Sequence, residues 1–271
     1  LPWVQMSFVK CTTILAAPLQ EEVQMKRFSL TVGGIALLVV LMASVAITAE
    51  ASSPALASEP TFDSAEFSHP LEITNPYMPL EPGTTFVYKG KSEGAPTRQE
   101  FVVTNQAKTI LGVKARVVVD TNWEGGKLVE RTEDWFAQDD AGNVWYLGEY
   151  ATDYENGEVV GHEGSWEAGV DGAQPGIVMK AQPVVGETYQ QENAPGIAED
   201  RATVLSLEES ICVRYGCFSN VLQTEEFTPL EPGNVEHKFY APGIGQIMTV
   251  QVEGGEEESS LVRLIRDHDD D

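Results

Sequence analysis

From Thr84 to Ile265 the chain carries turn signals at short intervals, and no stretch there repeats apolar residues on a helical period for 12 or more residues. Runs rich in β-branched and aromatic residues lie between those signals. They include Thr84–Tyr88, Gln99–Thr104, Val113–Thr121, a loosely alternating Lys127–Ala137, and Asn143–Leu147. After a gap they resume with Glu187–Gln191, Arg201–Leu207, Phe218–Thr224, Val235–Tyr240, Gln246–Val252 and Leu261–Ile265. Short strands at roughly 8–12-residue spacing predict an all-β sandwich or barrel. Turns are expected at Gly90–Pro96, Trp123–Gly126 and Asp139–Gly142, and Asn156-Gly157 is the strongest hairpin signal in the chain. The fold class read from this pattern is mainly β: an antiparallel curved sheet, half-barrel or barrel-like.

Two segments depart from the pattern. Residues 58–83 are rich in Pro, which removes a backbone donor and restricts the residue before it. They read as an extended lead-in wrapping the domain. Residues 161–185 are punctuated by Gly and Pro and read as a long ordered loop over one face of the sheet. The pentapeptide Pro-Leu-Glu-Pro-Gly occurs at 79–83 and at 229–233. Its flanks do not repeat, so the same turn used twice is the expectation, with no repeat architecture behind it.

The start of the chain carries a targeting pattern. Met25-Lys26-Arg27 is followed by an uncharged run, Phe28–Ala49, and then by small-x-small sites at Ala49-Glu50-Ala51 and Ala55-Leu56-Ala57. This is the layout of a secretory signal peptide. Residues 25–57 are assigned to it, with cleavage after Ala57; if it is not cleaved, the apolar run is long enough for a membrane anchor. Residues 1–24 are read as an upstream segment from a mis-assigned start. Residues 58–271 then form a single β-rich domain with a frayed acidic tail at Arg266–Asp271.

Charge narrows the function classes. The chain has 17 Lys and Arg against 42 Asp and Glu, a net charge of −25. Removing residues 1–57 takes away equal numbers of both signs. So acidic a surface argues against nucleic acid or an anionic membrane surface as a partner. Beyond residue 57 two cysteines remain, Cys212 and Cys217, separated by a turn-like Val-Arg-Tyr-Gly. In an oxidising compartment they can form a local disulfide across a hairpin mouth. The location read from these features is secreted or periplasmic.

Three groups of residues resemble motifs of a known group of proteins. They are Asn75-Pro76-Tyr77-Met78-Pro79-Leu80-Glu81-Pro82-Gly83, then Asp134–Asp139 running into Gly142–Glu149, and Phe239-Tyr240-Ala241-Pro242-Gly243-Ile244-Gly245. Together they resemble exported bacterial β-proteins that combine NPYxPLxPG with a YAPGxG hairpin. The resemblance spans roughly residues 67–252 and brings no activity with it. The YAPGxG turn also looks like one in envelope proteins with a curved half-barrel, some of which hold apolar ligands, which is a likeness of fold alone.

Catalytic and metal motifs are sparse. Gly161-His162-Glu163-Gly164-Ser165 has the wrong spacing for a nucleophile elbow. His162-Glu163 lacks the second His of a zinc helix, and His69, His162, His237 and His268 are scattered. Asp139, Asp140 and Asn143 gather oxygens that calcium could use, although Asp, Gly and Asn are also what a tight hairpin needs. No cofactor is called for, with calcium the one candidate. An apolar concave face would be lined by Trp135, Trp145, Leu147, Phe239 and Met248, unless a loop covers it and the interior is solid. The leading reading is a non-catalytic binder of an apolar or amphipathic ligand, or of an envelope partner. A carboxylate-dependent hydrolase acting on a glycan and a calcium-dependent surface protein are the alternatives. Mass spectrometry of the secreted protein tests the assigned start: a peptide from residues 1–24 refutes it.

Overall fold

The computed structural model describes residues 61–267. The signal-peptide and upstream-segment assignments, residues 58–60 and the last four residues of the tail lie outside them. Every strand pairing in the described residues is antiparallel, and one 3-10 turn, Ser64–Glu66, precedes the strands. The first strands are β1 (Thr84–Ser92), β2 (Ala95–Ile110), β3 (Val113–Glu124), β4 (Lys127–Gln138), β5 (Val144–Glu155) and β6 (Glu158–Gly161). Two short strands follow, β7 (Trp166–Glu167) and β8 (Gly176–Met179), and then β9 (Thr188–Gln190). The chain ends with β10 (Arg201–Cys212), β11 (Cys217–Phe227), β12 (Val235–Ala241), β13 (Gly245–Glu253) and β14 (Glu257–Arg266).

The hydrogen-bonded order is β6-β5-β4-β3-β2-β1-β14-β13-β12-β11-β10-β9, with β7 and β8 both pairing β5. The sheet is therefore two meanders joined where β1 meets β14, and it does not close into a barrel. It does curl strongly. Side chains from β3–β5 and from β11–β14 line one cavity, which a flat sheet would not allow. The two ends approach at an isolated bridge, where Gln174 N donates to Asn193 O at 2.8 Å.

Tight turns explain the long strands. Asn156 and Gly157 both have positive φ, 52° and 89°, which is the primed turn that suits strand twist. Cys212 and Cys217 are opposite each other at the mouth of the β10–β11 hairpin and are joined by a disulfide. Residues 161–185, expected as a long ordered loop over one face of the sheet, contribute β7 and β8 to the sheet itself. Glycine permits this. A Cβ on Gly148 would lie 2.4 Å from the Trp166 carbonyl oxygen, so only a bare Cα lets β7 pair with β5 there.

The lead-in is fastened by hydrogen bonds in place of strand pairing. Gln138 Oε1 accepts from Thr74 N and Asn75 N, at 2.9 and 2.8 Å. Asn75 is buried; its Nδ2 donates to Gly142 O and Lys180 O, and its Oδ1 accepts from Tyr77 N. Gly243 N donates to Pro76 O at 2.7 Å, so the Asn-Pro-Tyr segment sits directly on the turn between β12 and β13. The two Pro-Leu-Glu-Pro-Gly copies form the same turn. Thr84 N donates to Glu81 O, and Asn234 N donates to Glu231 O.

Asn75 thus ties three segments together through one amide. Asn75→Ala strands the buried Lys180 carbonyl and the half-buried Gly142 carbonyl and is expected to destabilise the fold by about 1–3 kcal/mol. Urea unfolding measures it, and a midpoint equal to wild type would show that the latch contributes nothing.

Candidate functional site

The curled sheet encloses a cavity of about 740 Å³, within the size range of small-molecule sites. Part of its wall is apolar, from Met78, Leu80, Phe86, Phe101, Phe136 and Val178. The rest is dominated by carboxylates. β3 contributes Asp120 and β4 contributes Glu130; Glu226 comes from β11, Glu236 and Lys238 from β12, and Glu192 and Asp200 from the segment between β9 and β10.

The β4–β5 wall depends on a bulge. Phe136 pairs with Tyr146, but the next matched pair along is Asp134 with Glu149, because the register shifts between them. The extra residue in β5 lies at Leu147–Gly148, where Gly148 has φ 129°. In a regular strand residues three apart face opposite sides. The bulge instead brings Tyr146 and Glu149 together, a recurrent use of such irregularities near functional sites. Tyr146 Oη then lies 2.5 Å from Asp134 Oδ1 and 2.7 Å from Glu149 Oε2.

A phenol has one proton to donate. It can serve one of these carboxyl oxygens, and the other contact is a hydrogen bond only if that carboxyl carries a proton of its own. The geometry therefore requires at least one protonated acid in the Asp134–Tyr146–Glu149 chain. The electrostatics agree. Burial, reinforced by Asp120, pushes the Asp134 carboxyl up; burial and then Asp134 push Glu149 up. Asp120 is pushed up to about 7, chiefly by burial, against the lowering effect of its 2.6 Å hydrogen bond from Gln99 Nε2. Its other oxygen, Oδ1, is shut from solvent, and the Thr121 backbone also favours the charged form of the group. Burial also raises Glu192 well above the usual carboxylate range, and raises Asp200.

The opposite wall is ionised. Glu226 Oε1 accepts from Thr224 Oγ1 and from Tyr240 Oη, each at 2.8 Å, while Oε2 pairs with Lys238 Nζ at 2.9 Å. Burial alone would raise the Glu226 carboxyl, but Lys238 and these donors outweigh it and hold it below its usual range. Lys238 is correspondingly raised: burial works against its charge, and Glu226 and Glu236 more than compensate.

The five residues assigned to an apolar lining fall elsewhere. Trp145 and Leu147 are buried in the core; Trp145 Nε1 donates to Asp139 Oδ2, and its ring packs against Phe62 and Phe67. Phe239 and Met248 are half-buried cross-strand partners. Trp135 lines a second, shallower cavity of about 560 Å³, with Lys108 Nζ 3.2 Å from its ring centre. Each of the five is the chain neighbour of a side chain that does line the interior: Phe136, Tyr146, Tyr240 or Thr249. A displacement of one residue in a period of two exchanges the faces of a strand.

The Asp139 turn serves as scaffold. Asp139 accepts from Asn143 N, Asn143 Nδ2 and Trp145 Nε1, and Asp140 accepts from Ser68 N and Ser68 Oγ. Asn143 Oδ1 accepts from Ala181 N. Among the described residues no cluster of three or more His, Cys, Asp or Glu could hold a metal ion. The acids of the interior were not assigned from sequence. β4 places Glu130, Thr132 and Asp134 on the inward phase and Arg131 and Glu133 on the other, so it shows no clean polar and apolar alternation.

Raised carboxyl groups favour the fold at low pH. Their contribution is complete below the unfolded value near 4 and is lost as pH rises through the folded value. For Asp120 that window closes at about 7, and the Asp134–Glu149 pair extends it in the same direction. Glu226 has the opposite sign, and its contribution is lost only as pH falls through its lowered value. The melting temperature is therefore expected to fall between pH 5 and pH 8. In Glu149→Gln the amide can donate to Tyr146 Oη, which donates to an ionised Asp134. That variant should melt less steeply with pH and, at pH 8, gain about 1 kcal/mol, or roughly 2–4 °C. A pH-independent wild-type melting temperature would exclude the shared proton.

No family model matches the chain, and no curated protein matches it. Two solved structures are similar to it. One is a Bacteroides fragilis protein with a YmcC-like fold, predicted to be exported, at 14% identity and TM-score 0.39; the match covers 70% of this chain and 99% of that one. The other is a predicted lipoprotein of Parabacteroides distasonis, at 13% identity and TM-score 0.39, covering 71% and 99%. Superpositions at that level assign neither location nor activity.

Proposed function

We propose that residues 58–271 form an exported binding module whose interior cavity takes one amphipathic ligand. The observation that carries this reading is the cavity itself: about 740 Å³ enclosed by the sheet, with an aromatic and aliphatic part and a polar part. Such a division suits a ligand with an apolar body and a polar end. Export is supported by the Cys212–Cys217 disulfide, which belongs to oxidising compartments. The basic and apolar segment at 25–57 and the resemblance to exported β-proteins point the same way.

The experiment is native mass spectrometry of the protein with a neutral single-chain amphiphile, decyl glucoside, held below micelle formation. One bound equivalent is expected. Val178→Trp, which puts bulk at the apolar wall, is expected to weaken binding at least tenfold while the fold is retained by circular dichroism. Absence of binding to wild type, or binding indifferent to Val178→Trp, would reject the cavity as the site. The carboxylate hydrolase keeps one observation in its favour, since Asp120, Glu130 and Glu192 line an accessible cavity. Release of reducing ends from an oligosaccharide, abolished by Glu130→Gln, would move the assignment there.

A further inference from the structure

Resting on the reading of the cavity as an amphiphile site, we propose that the ligand's polar end is a protonated amine, and that Asp120 is its counter-ion. Eight carboxylates line the cavity against two basic side chains. Both basic groups are engaged within the protein. Lys238 pairs with Glu226 and Glu236, and Arg98 pairs with Glu100 while lying 5.0 Å from the centre of the Trp123 ring. No free cation is therefore left in the lining to receive an anionic head. A carboxylate or phosphate brought into this cavity would lie among carboxyl groups, each of which repels it when ionised.

An amine reverses each of these effects. An alkylammonium brings hydrogen-bond donors and no acceptor. The lining offers a carboxyl group that no basic side chain neutralises: Asp120, whose Oδ2 accepts from the neutral Gln99 amide. Aromatic groups stand in the same lining, among them Phe101, Trp123, Phe136 and Tyr146. Ring faces attract organic cations and repel anions.

The proton balance follows. Asp120 interacts with Tyr88 from β1, with Gln99 from β2, with Glu130 and Asp134 from β4, and with Glu149 from β5. None of these groups is basic; the Gln99 amide and the Thr121 backbone favour the carboxylate, but burial and the neighbouring acids outweigh them and favour the protonated acid in the empty cavity. A bound ammonium favours the carboxylate, so binding releases a proton and tightens as pH rises from 5 to 8, where an alkylamine keeps its own charge.

Three probes with the same ten-carbon chain test the inference: decylammonium, decyl glucoside and decanoate, titrated calorimetrically at pH 6.5, below the value to which Asp120 is raised. Decylammonium is expected to bind at least tenfold more tightly than decyl glucoside, with decanoate weakest. Asp120→Asn should abolish the preference for decylammonium over decyl glucoside. Titration in two buffers of different ionisation enthalpy should show proton release for the ammonium alone. Equal or tighter binding of decanoate or glucoside, or an Asp120→Asn variant that binds decylammonium as wild type does, would overturn the amine and leave the amphiphile site standing. If none of the three probes binds, the amphiphile site itself fails.

Discussion

The placement of a single phenol proton governs much of the interior. Asp134 and Glu149 are cross-strand partners, and two like charges in that position are destabilising. Tyr146 lies within hydrogen-bond distance of both, so the pair holds together when it keeps a proton that water would have removed. The sheet tolerates an acidic interior on the β4–β5 side by keeping it uncharged. On the β11–β12 side it uses the other solution and keeps Glu226 ionised against Lys238 with two hydroxyl donors. Neither arrangement is the choice of a chain selected for stability alone, because apolar side chains of similar volume avoid both costs. The polar interior is more readily understood as a recognition surface.

The bulge in β5 makes the first arrangement possible, and the bulge in turn needs Gly148 beneath the β7 backbone. The short strand β7 is therefore coupled to the chemistry of the cavity although it adds little hydrogen bonding to the sheet. The lead-in has a comparable role at the other side. Its Asn75 and Pro76 are tied to the Gly142 turn, the Lys180 carbonyl and the β12–β13 turn, and its Met78 and Leu80 then help close the cavity. The two motifs that stand out most clearly in the sequence, around Asn75 and around Tyr240, hold this closure in place. Tyr240 belongs to both roles, since it lines the cavity and donates to Glu226.

Much of the architecture was legible because local chemistry decides it. Asn156-Gly157 forms its hairpin, Cys212 and Cys217 meet at a hairpin mouth, and the runs around Val117 and Met248 are strands. What was not legible depends on phase and on distance. Trp135, Trp145, Leu147, Phe239 and Met248 are large and apolar, yet the interior lining falls on an adjacent residue in each case. Pattern alone sets the phase of a strand when one face is apolar and the other polar. Here β4 and β5 bury residues on both faces, so size was no guide to direction. The acids were obscured for another reason: in a chain with 42 Asp and Glu, nothing marks the few that turn inward.

The excess acidity of the chain then acquires a second meaning. An acidic exterior repels anions and concentrates cations near the surface before any contact is made. The interior sets no unpaired cation against it, since Lys238 and Arg98 are both held by carboxylates, so a cation moving inward meets no reversal of potential from mouth to wall. An anionic amphiphile is opposed at both stages. Because Asp120 titrates near neutrality, the attraction is strongest where that group is ionised and weakens as the medium acidifies. The protonation that stabilises the empty fold is the same protonation a bound cation must displace. Stability and occupancy are therefore linked through the same few carboxyl groups, with opposite dependence on pH.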